Sequence, residues 1–289
     1  MEKRITGRTE LIGLIATPIR HSKSPIMHNA AFQKLGLDYA YLAFEVGEDE
    51  LEDTVAGLRA MKVRGWNVSM PNKTIIGQYL DHITPVAKLC GAINTVVNDN
   101  GILTGTITDG TGYMRSLKDA HIDIIGQKIT IVGAGGAATA ICIQAALDGV
   151  KEISIFNRDD EFYQRGEMNV KNINEQTKCH ATLYHLEDHE ALKREINDSV
   201  LFINATNVGM NPLEDQMILP SIDFLNKNVI VSDVIYMPEE TLLLKEAKKL
   251  GCQTINGIGM MLYQGAEAFK LWTGQDMPID VVKRVLNIQ

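Results

Sequence analysis

The sequence predicts an α/β protein of two domains with parallel-rich sheets. Three observations carry that reading. The chain is 289 residues long, which at about 150 residues per domain fits two. Strand-like and helix-like segments alternate almost throughout, the pattern left by crossover connections between parallel strands. No internal repeat, low-complexity tract or Pro/Ser-rich linker interrupts the alternation.

Taken in order, Leu11 to Ile15 reads as a buried strand. Ser24-Pro25 then opens a helix, with Ser24 as its N-cap, Pro25 at the first helical position and Gly36 as its stop. Tyr39 to Val46 is a second strand, and Leu51, Val55, Leu58 and Met61 recur at helical spacing on the next helix. Gly65-Trp66-Asn67-Val68-Ser69 is strand-like and runs into Pro71-Asn72-Lys73, where another helix is expected to begin. Asn94 to Val97 and Ile102 to Thr106 flank Asn98-Asp99-Asn100-Gly101, a hairpin signal. At Asp109-Gly110-Thr111-Gly112 a loop enters a short helix. From Lys128 a regular series sets in, with strands at about 128–132, 152–156, 200–204, 229–234 and 253–255 alternating with helices. The boundary falls near residue 110. This gives a first domain of 1–109, a second of 110–258, and helices over 259–289 that return to complete the first.

A composition of 45% hydrophobic and 22% charged residues is that of a soluble globular chain and excludes a disordered or collagenous one. Lys+Arg at 28 against Asp+Glu at 36 gives a net charge of −8. With neither a basic surplus nor a basic run, nucleic acid and anionic membrane surfaces are not expected partners. The N-terminal stretch Met1 to Glu10 shows no apolar core or cleavage site of a leader. The longest apolar stretch, Ala137 to Leu147, is too short to span a bilayer and contains Gln144. Cys90, Cys142, Cys179 and Cys252 are scattered without a CxxC pair, which suits thiols in a reducing cytoplasm.

Ile129-Thr130-Ile131-Val132-Gly133-Ala134-Gly135-Gly136-Ala137-Ala138 runs from an apolar strand through a Gly-rich turn into an apolar helix. It fits G-x-G-x-x-A, with Gly133 for the tight turn, Gly135 for close approach to a pyrophosphate and Ala138 for helix–strand packing. A helix N-terminus there offers N–H groups to phosphate, so Gly133, Ala134, Gly135, Gly136 and Ala137 are candidate cofactor-binding residues. With the next strand ending in Asn157-Arg158-Asp159-Asp160, the unit reads as a Rossmann-type, doubly wound dinucleotide-binding domain. Asp159 and Asp160 lie 21 and 22 residues past Ala138, near the spacing of a ribose-binding acid. A carboxylate accepts from both ribose hydroxyls but repels a 2′-phosphate, whereas Arg158 would pair with that phosphate or stack on adenine. Two acids against one Arg favour NAD, with NADP as the second cofactor.

In the first domain, Ser22 and Ser24 place hydroxyls at a helix N-terminus, where free N–H groups favour an anion. Ser24 taken alone reads as a plain cap before it reads as an anion ligand. Lys73 stands at an expected helix start, where a cation opposes the dipole and the same field favours the neutral amine, a usable base. Taken singly, Asp109 reads as a helix cap and Asn94 as a strand end.

Together these segments form an ordered series. Asn67 to Lys73, Gly91 to Val96, Thr108-Asp109-Gly110, the glycine loop, Asn204-Ala205-Thr206, Gly209-Met210, Asp233 to Pro238, Gly257 to Met260 and Gln264-Gly265-Ala266 follow one another in a pattern that resembles the shikimate dehydrogenases. The resemblance covers essentially the whole chain. Pro18 to Ser22, Ser69 to Lys73 and Asn157-Arg158-x-Asp160-Glu161-Phe162 are most similar to the branch that accepts quinate as well as shikimate.

The resemblance implies an N-terminal α/β substrate domain with a mostly parallel sheet beside the Rossmann-type domain. It implies reversible NAD(P)-dependent oxidation of shikimate to 3-dehydroshikimate, a step of chorismate biosynthesis, with quinate as a further substrate. Lys73 then matches the catalytic lysine, and Asp109 its partner at the reacting hydroxyl. Ser22 and Ser24 match the hydroxyls on the substrate carboxylate, with Tyr41 close by; Ser69, Asn94 and Gln264 match groups on ring hydroxyls. Gly133 to Ala137, Asn157, Arg158, Asp159, Asp160, Val234, Tyr236 and Gly257 match the cofactor side. Asp159 stands where this branch often has a second Arg, and Asn207 replaces a basic residue expected after Thr206. Both departures remove positive charge that a 2′-phosphate would use.

The expected partner is a small polyhydroxy cyclic carboxylate, with a homodimer as the candidate assembly. Two other readings stay open, a dedicated quinate dehydrogenase and a non-catalytic nicotinamide-binding sensor; the sensor has no use for both Lys73 and Asp109. His180, His185 and His189 sit among acids that read as a solvated helix face, and no metal is expected.

Overall fold

The computed structural model describes residues 5–288. Met1 to Arg4, part of the stretch read for a leader, and Gln289, the end of the expected C-terminal return, lie outside them. Contacts divide the chain into two units, Met1–Thr108 with Gln264–Gln289, and Asp109–Tyr263. The first opens with β1 (Glu10–Ala16), α1 (Ser24–Leu35), β2 (Tyr39–Glu45), α2 (Leu51–Ala60) and β3 (Gly65–Val68). Two 3-10 turns, Asn72–Thr74 and Ile76–Tyr79, lead to β4 (His82–Ile83), α3 (Pro85–Cys90), β5 (Thr95–Asp99) and β6 (Ile102–Thr106). The second unit holds α4 (Asp109–Asp119), β7 (Lys128–Val132), α5 (Gly136–Asp148), β8 (Glu152–Asn157), α6 (Tyr163–Gln176) and β9 (His180–His185). It continues through α7 (His189–Asn197), β10 (Leu201–Asn204), β11 (Ile230–Asp233), α8 (Leu242–Leu250) and β12 (Thr254–Ile255). The chain ends in α9 (Ile258–Thr273) and α10 (Ile279–Val285).

The first sheet has the order β2-β1-β3-β5-β6-β4. β1 runs parallel to β2 and β3, and β4 to β6, while the β3–β5 and β5–β6 pairs are antiparallel. Asn67 lies opposite Thr95, and Thr95 opposite Thr106. The C-terminal ends of β1, β3 and β6 and the N-terminal end of β5 therefore share one edge. The hairpin turns on Asn100 and Gly101, at φ 56° and 96°, the left-handed pair that matches the twist of the strands. Asn100→Ala is expected to cost roughly 1 kcal/mol, read as a lower urea midpoint at unchanged slope.

The second sheet, β12-β11-β10-β7-β8-β9, is parallel at every pairing. Its central strands are almost continuously buried, from Ile129 and Ile131 to Ile155, Phe156, Phe202 and Val231, because crossover helices cover both faces. β8 lies on one side of β7 and β10 on the other, which makes the β7 end the switch point where such sheets bind ligands. Among the described residues no helix is long and apolar enough to cross a membrane.

Several local expectations change. Lys23 is the N-cap of α1 and Ser24 its first helical residue, without a capping bond; the Ser22 hydroxyl instead accepts the Ser24 N–H at 3.2 Å. No α-helix follows Pro71. The Lys73 carbonyl accepts the Ile93 N–H at 2.8 Å, which draws it away from a helical partner, and one 3-10 turn carries no macrodipole of consequence. Lys73 therefore meets no opposing helix dipole. His180 and His185 lie on β9, a strand the sequence reading omitted, and only His189 begins a helix. Asp109 is the first residue of α4 rather than a cap at Gly112, and it belongs to the second unit. So do residues 259–263, assigned above to the returning helices, because Gly259 abuts Ser116 and Arg115 lies 4.9 Å from the Tyr263 ring centre.

Candidate active site

On the shared edge of the first sheet, the loop after β1 carries Ser22 and leads to Ser24, the loop after β3 carries Ser69 and Lys73, and Asn94 precedes β5. Ser22, Ser24, Ser69, Lys73 and Gln264 are half-buried, while Tyr41 and Asn94 are buried. The Lys73 backbone is pinned by Ile93, and beside it the Asn72 amide donates to the Val46 carbonyl at 2.9 Å.

Behind these groups runs a buried polar network. Asn94 Oδ1 accepts the Thr108 N–H and the Thr95 hydroxyl, each at 2.9 Å. Asn94 Nδ2 donates to Thr108 Oγ1 at 3.0 Å and to Gln264 Oε1 at 3.5 Å. Asn67 donates to the Asn94 carbonyl and to Thr95 Oγ1, both at 3.1 Å, and accepts the Tyr41 phenol proton at 2.8 Å. Satisfied buried polar groups of this kind fix the orientation of what they hold. Hydroxyl, amide and ammonium groups gathered on one edge suit a small polyhydroxylated anion.

His28, one turn after Ser24, stacks on Tyr41 with ring centres 4.4 Å apart and planes 10° from parallel. Phe269 and Trp272 close the box. Neither ring nitrogen has a hydrogen-bond partner, and complete burial pushes the imidazole pKa from 6.5 down to about 3. The same burial pushes the Tyr41 phenol far up, so it stays protonated and donates to Asn67. Tyr41 has no exposure of its own, and its phenol is held on Asn67.

In the second unit β7 is followed by Gly133, whose φ is 113° and where a Cβ would come within 2.8 Å of the Ala205 carbonyl oxygen. Only glycine fits there. Gly135 is the N-cap of α5 and Gly136 its first residue, and a Cβ on either would stand in open space. Ala134 and Ala138 are buried. Bare N–H groups at the start of a 13-residue helix, facing open space, are a cradle that fits a pyrophosphate.

At the end of β8, Asn157 Nδ2 donates to the Arg158 carbonyl and to Asp160 Oδ1, each at 2.8 Å. The Phe162 N–H bonds the same carboxylate oxygen at 3.0 Å, and Arg158 approaches the other at 3.5 Å. Asp160 is thus engaged in shaping its own loop, whereas Asp159 is exposed. A cleft of about 220 Å³ opens beside Arg158, lined by Leu186, Glu187, His189 and Met217 to Pro220. On the other flank of the sheet, half-buried Val234 and exposed Tyr236 follow β11, and Gly257 follows β12. Among the described residues no group of three or more His, Cys, Asp or Glu side chains is placed to hold a metal ion.

The sequence reading assigns no role to His28, nor to Asn67, Thr95 and Thr108, which lie in the motif segments. A signal existed for two of them: Asn67 and Thr95 interrupt otherwise apolar strand segments, Trp66-Asn67-Val68 and Thr95-Val96-Val97. The residues of the cleft beside Arg158 carry no such mark.

The shikimate dehydrogenase substrate binding domain matches residues 14–96, and the shikimate 5′-dehydrogenase C-terminal domain matches residues 257–286. Over 284 residues the chain is 66% identical to the shikimate dehydrogenase (NADP(+)) of Listeria monocytogenes, covering 98% of each chain. It is 56% identical over 289 residues to the shikimate dehydrogenase (NADP(+)) of Streptococcus uberis, covering 99% of this chain and 98% of that one. The crystal structure of shikimate 5-dehydrogenase from Listeria monocytogenes in complex with shikimate and NAD aligns with a TM-score of 0.97 at 66% identity, covering 99% of both chains. Likeness of this extent runs through both units, and the chain belongs to the shikimate dehydrogenase family.

Proposed function

We propose that the chain interconverts shikimate and 3-dehydroshikimate with a nicotinamide cofactor, and that it also accepts quinate. One observation supports this above others: the bond from Asn94 to Gln264, residues 170 positions apart, joins two of the three matched ring-hydroxyl groups. Ser22 and Ser24 hold the ring carboxylate, and Ser69, Asn94 and Gln264 hold ring hydroxyls. When bound, the nicotinamide supplies the hydride exchanged with the carbinol carbon. In oxidation Lys73 takes the hydroxyl proton at Nζ, and in reduction it returns that proton to the ketone oxygen. Asp109 hydrogen-bonds at the same oxygen and orients the lysine. Four buried thiols support a reducing compartment, the cytoplasm.

Gly133 to Ala137 cradle the pyrophosphate, and Asp159 reaches the adenosine ribose. NAD is the preferred cofactor and NADP is accepted, because a 2′-phosphate beside Asp159 meets repulsion that Arg158 offsets in part. Asp159→Ser is expected to raise the NADP-to-NAD ratio of kcat/KM by roughly 10- to 100-fold. Asp160→Ser is expected mainly to loosen its loop.

The deciding experiment is a steady-state matrix of shikimate and quinate against NAD and NADP. Absence of shikimate turnover with either cofactor overturns the function. A wild type that prefers NADP, the cofactor in the names of the Listeria and Streptococcus relatives, overturns the preference.

A further inference from the structure

Asp233, the last residue of β11, is a carboxylate with no solvent exposure. A charge so placed persists only where donors satisfy it, and three do. The Ile235 N–H bonds Oδ1 at 3.0 Å, while Asn204 Nδ2 and the Thr241 hydroxyl bond Oδ2 at 3.1 and 2.8 Å. Burial pushes the carboxyl pKa up, against the pull of these donors.

Each donor belongs to a different segment. Ile235 lies between Val234 and Tyr236, Asn204 ends β10, and Thr241 is the N-cap of α8, where its oxygen accepts the Leu244 N–H at 3.4 Å. Asn204 extends the hold, since Nδ2 also donates to the Val208 carbonyl at 3.0 Å. Its Oδ1 accepts the Thr206 N–H at 3.1 Å and the Thr206 hydroxyl at 2.7 Å. After β12, the Gly257 N–H bonds the Ile235 carbonyl at 2.9 Å, and a Cβ at Gly257 would collide with the Val234 carbonyl oxygen.

In this strand order the adenosine half of a dinucleotide lies toward β8, which leaves the loops after β10 and β11 to the nicotinamide half. We propose that Asp233 is a positioning residue that locks the 204–208 and 234–241 loops into the surface receiving the nicotinamide ring. It touches neither substrate nor cofactor and acts through Asn204, Thr206 and Ile235. The inference rests on the nicotinamide-dependent activity proposed above.

Asp233→Asn keeps the side chain's size but replaces one acceptor oxygen with an N–H group that faces donors. Thr241→Val removes a single donor. The test measures binding of the reduced cofactor that the wild type holds, NADH or NADPH, and of the matching ADP-ribose, which lacks the nicotinamide. The KM for shikimate and kcat are read alongside. Asp233→Asn is expected to weaken reduced-cofactor binding roughly tenfold and to lower kcat, with ADP-ribose binding and the shikimate KM held within about twofold. Thr241→Val is expected to move the same quantities in the same direction by about two- to fivefold. Equal loss of reduced-cofactor and ADP-ribose binding, or no loss of either, in whichever variant folds overturns the proposal. So does failure of both variants to fold, which marks Asp233 as a purely structural anchor. A wild type that binds the cofactor but does not oxidise shikimate defeats the proposed reaction, while the binding split still decides the role of Asp233.

Discussion

Lys73→Ala is expected to lower kcat for shikimate oxidation by about 10²- to 10⁴-fold, the usual worth of a positioned acid–base group. The position is well held. Asn72 is fully buried with its amide on the Val46 carbonyl, and the Ile93 N–H fixes the Lys73 carbonyl itself. Truncation therefore removes the amine and leaves the loop in place, so the melting temperature should move little. Cofactor binding should be unchanged, since Lys73 belongs to the first unit and the glycine loop to the second. Asp109→Ala is expected to fall in the same kcat range, but its cofactor affinity is to be measured separately because Asp109 opens α4 in the second unit. Near-native turnover of shikimate and quinate by Lys73→Ala would falsify the proton-transfer role.

Acid should destabilise the first unit through His28. In the unfolded chain its imidazole takes a proton below its ordinary pKa of 6.5, while in the folded chain it resists protonation down to about 3. Between those values the unfolded state binds more protons, so stability falls as pH falls, by about 1.4 kcal/mol per pH unit. The contribution is fully present above pH 6.5 and is lost progressively toward pH 3. His28→Phe keeps an aromatic ring against Tyr41 and removes two buried nitrogens that have no partner. At pH 7 it should be as stable as the wild type or more so, by up to about 3 kcal/mol. Below pH 6.5 its advantage should widen at about 1.4 kcal/mol per unit. Urea unfolding of both proteins at a series of pH values isolates the effect, because the other titrating groups are common to the two. Parallel stability curves would show that His28 titrates alike in both states.

The second unit was legible where local pattern and burial agree. Lys128 to Val132 is read as a strand and is one, because an apolar run covered on both faces leaves little ambiguity. β9 was not legible. At the sheet's edge its residues, His-Ala-Thr-Leu-Tyr-His, are mostly partly exposed, and their polarity hides the strand. Local sequence promised a helix beginning after Pro71, and instead two 3-10 turns form there, with the Lys73 carbonyl taken by the distant Ile93 N–H. The site divides in the same way. Its half-buried members were named from motifs, whereas the network behind them exists only because strand register sets Asn67 against Thr95 and Thr95 against Thr106.

By itself, then, the sequence determined the alternation of elements, the glycine turn after β7, the Asn100-Gly101 hairpin and the family to which the motifs belong. Each of these depends on residues close together in the chain, through side-chain period, backbone conformation or motif spacing. Tertiary structure alone decided that Tyr41 is buried with its phenol on Asn67, that Asp160 is bound within its own loop while Asp159 stays exposed, and that Asp233 and His28 lose all contact with water. Burial is a property of what packs around a residue. For Asp233 it depends on Asn204, 29 positions away, and for His28 on Phe269 and Trp272 from the far end of the chain. No local pattern carries that information, because the same Asp or His in the same short segment would be solvated if those partners were elsewhere.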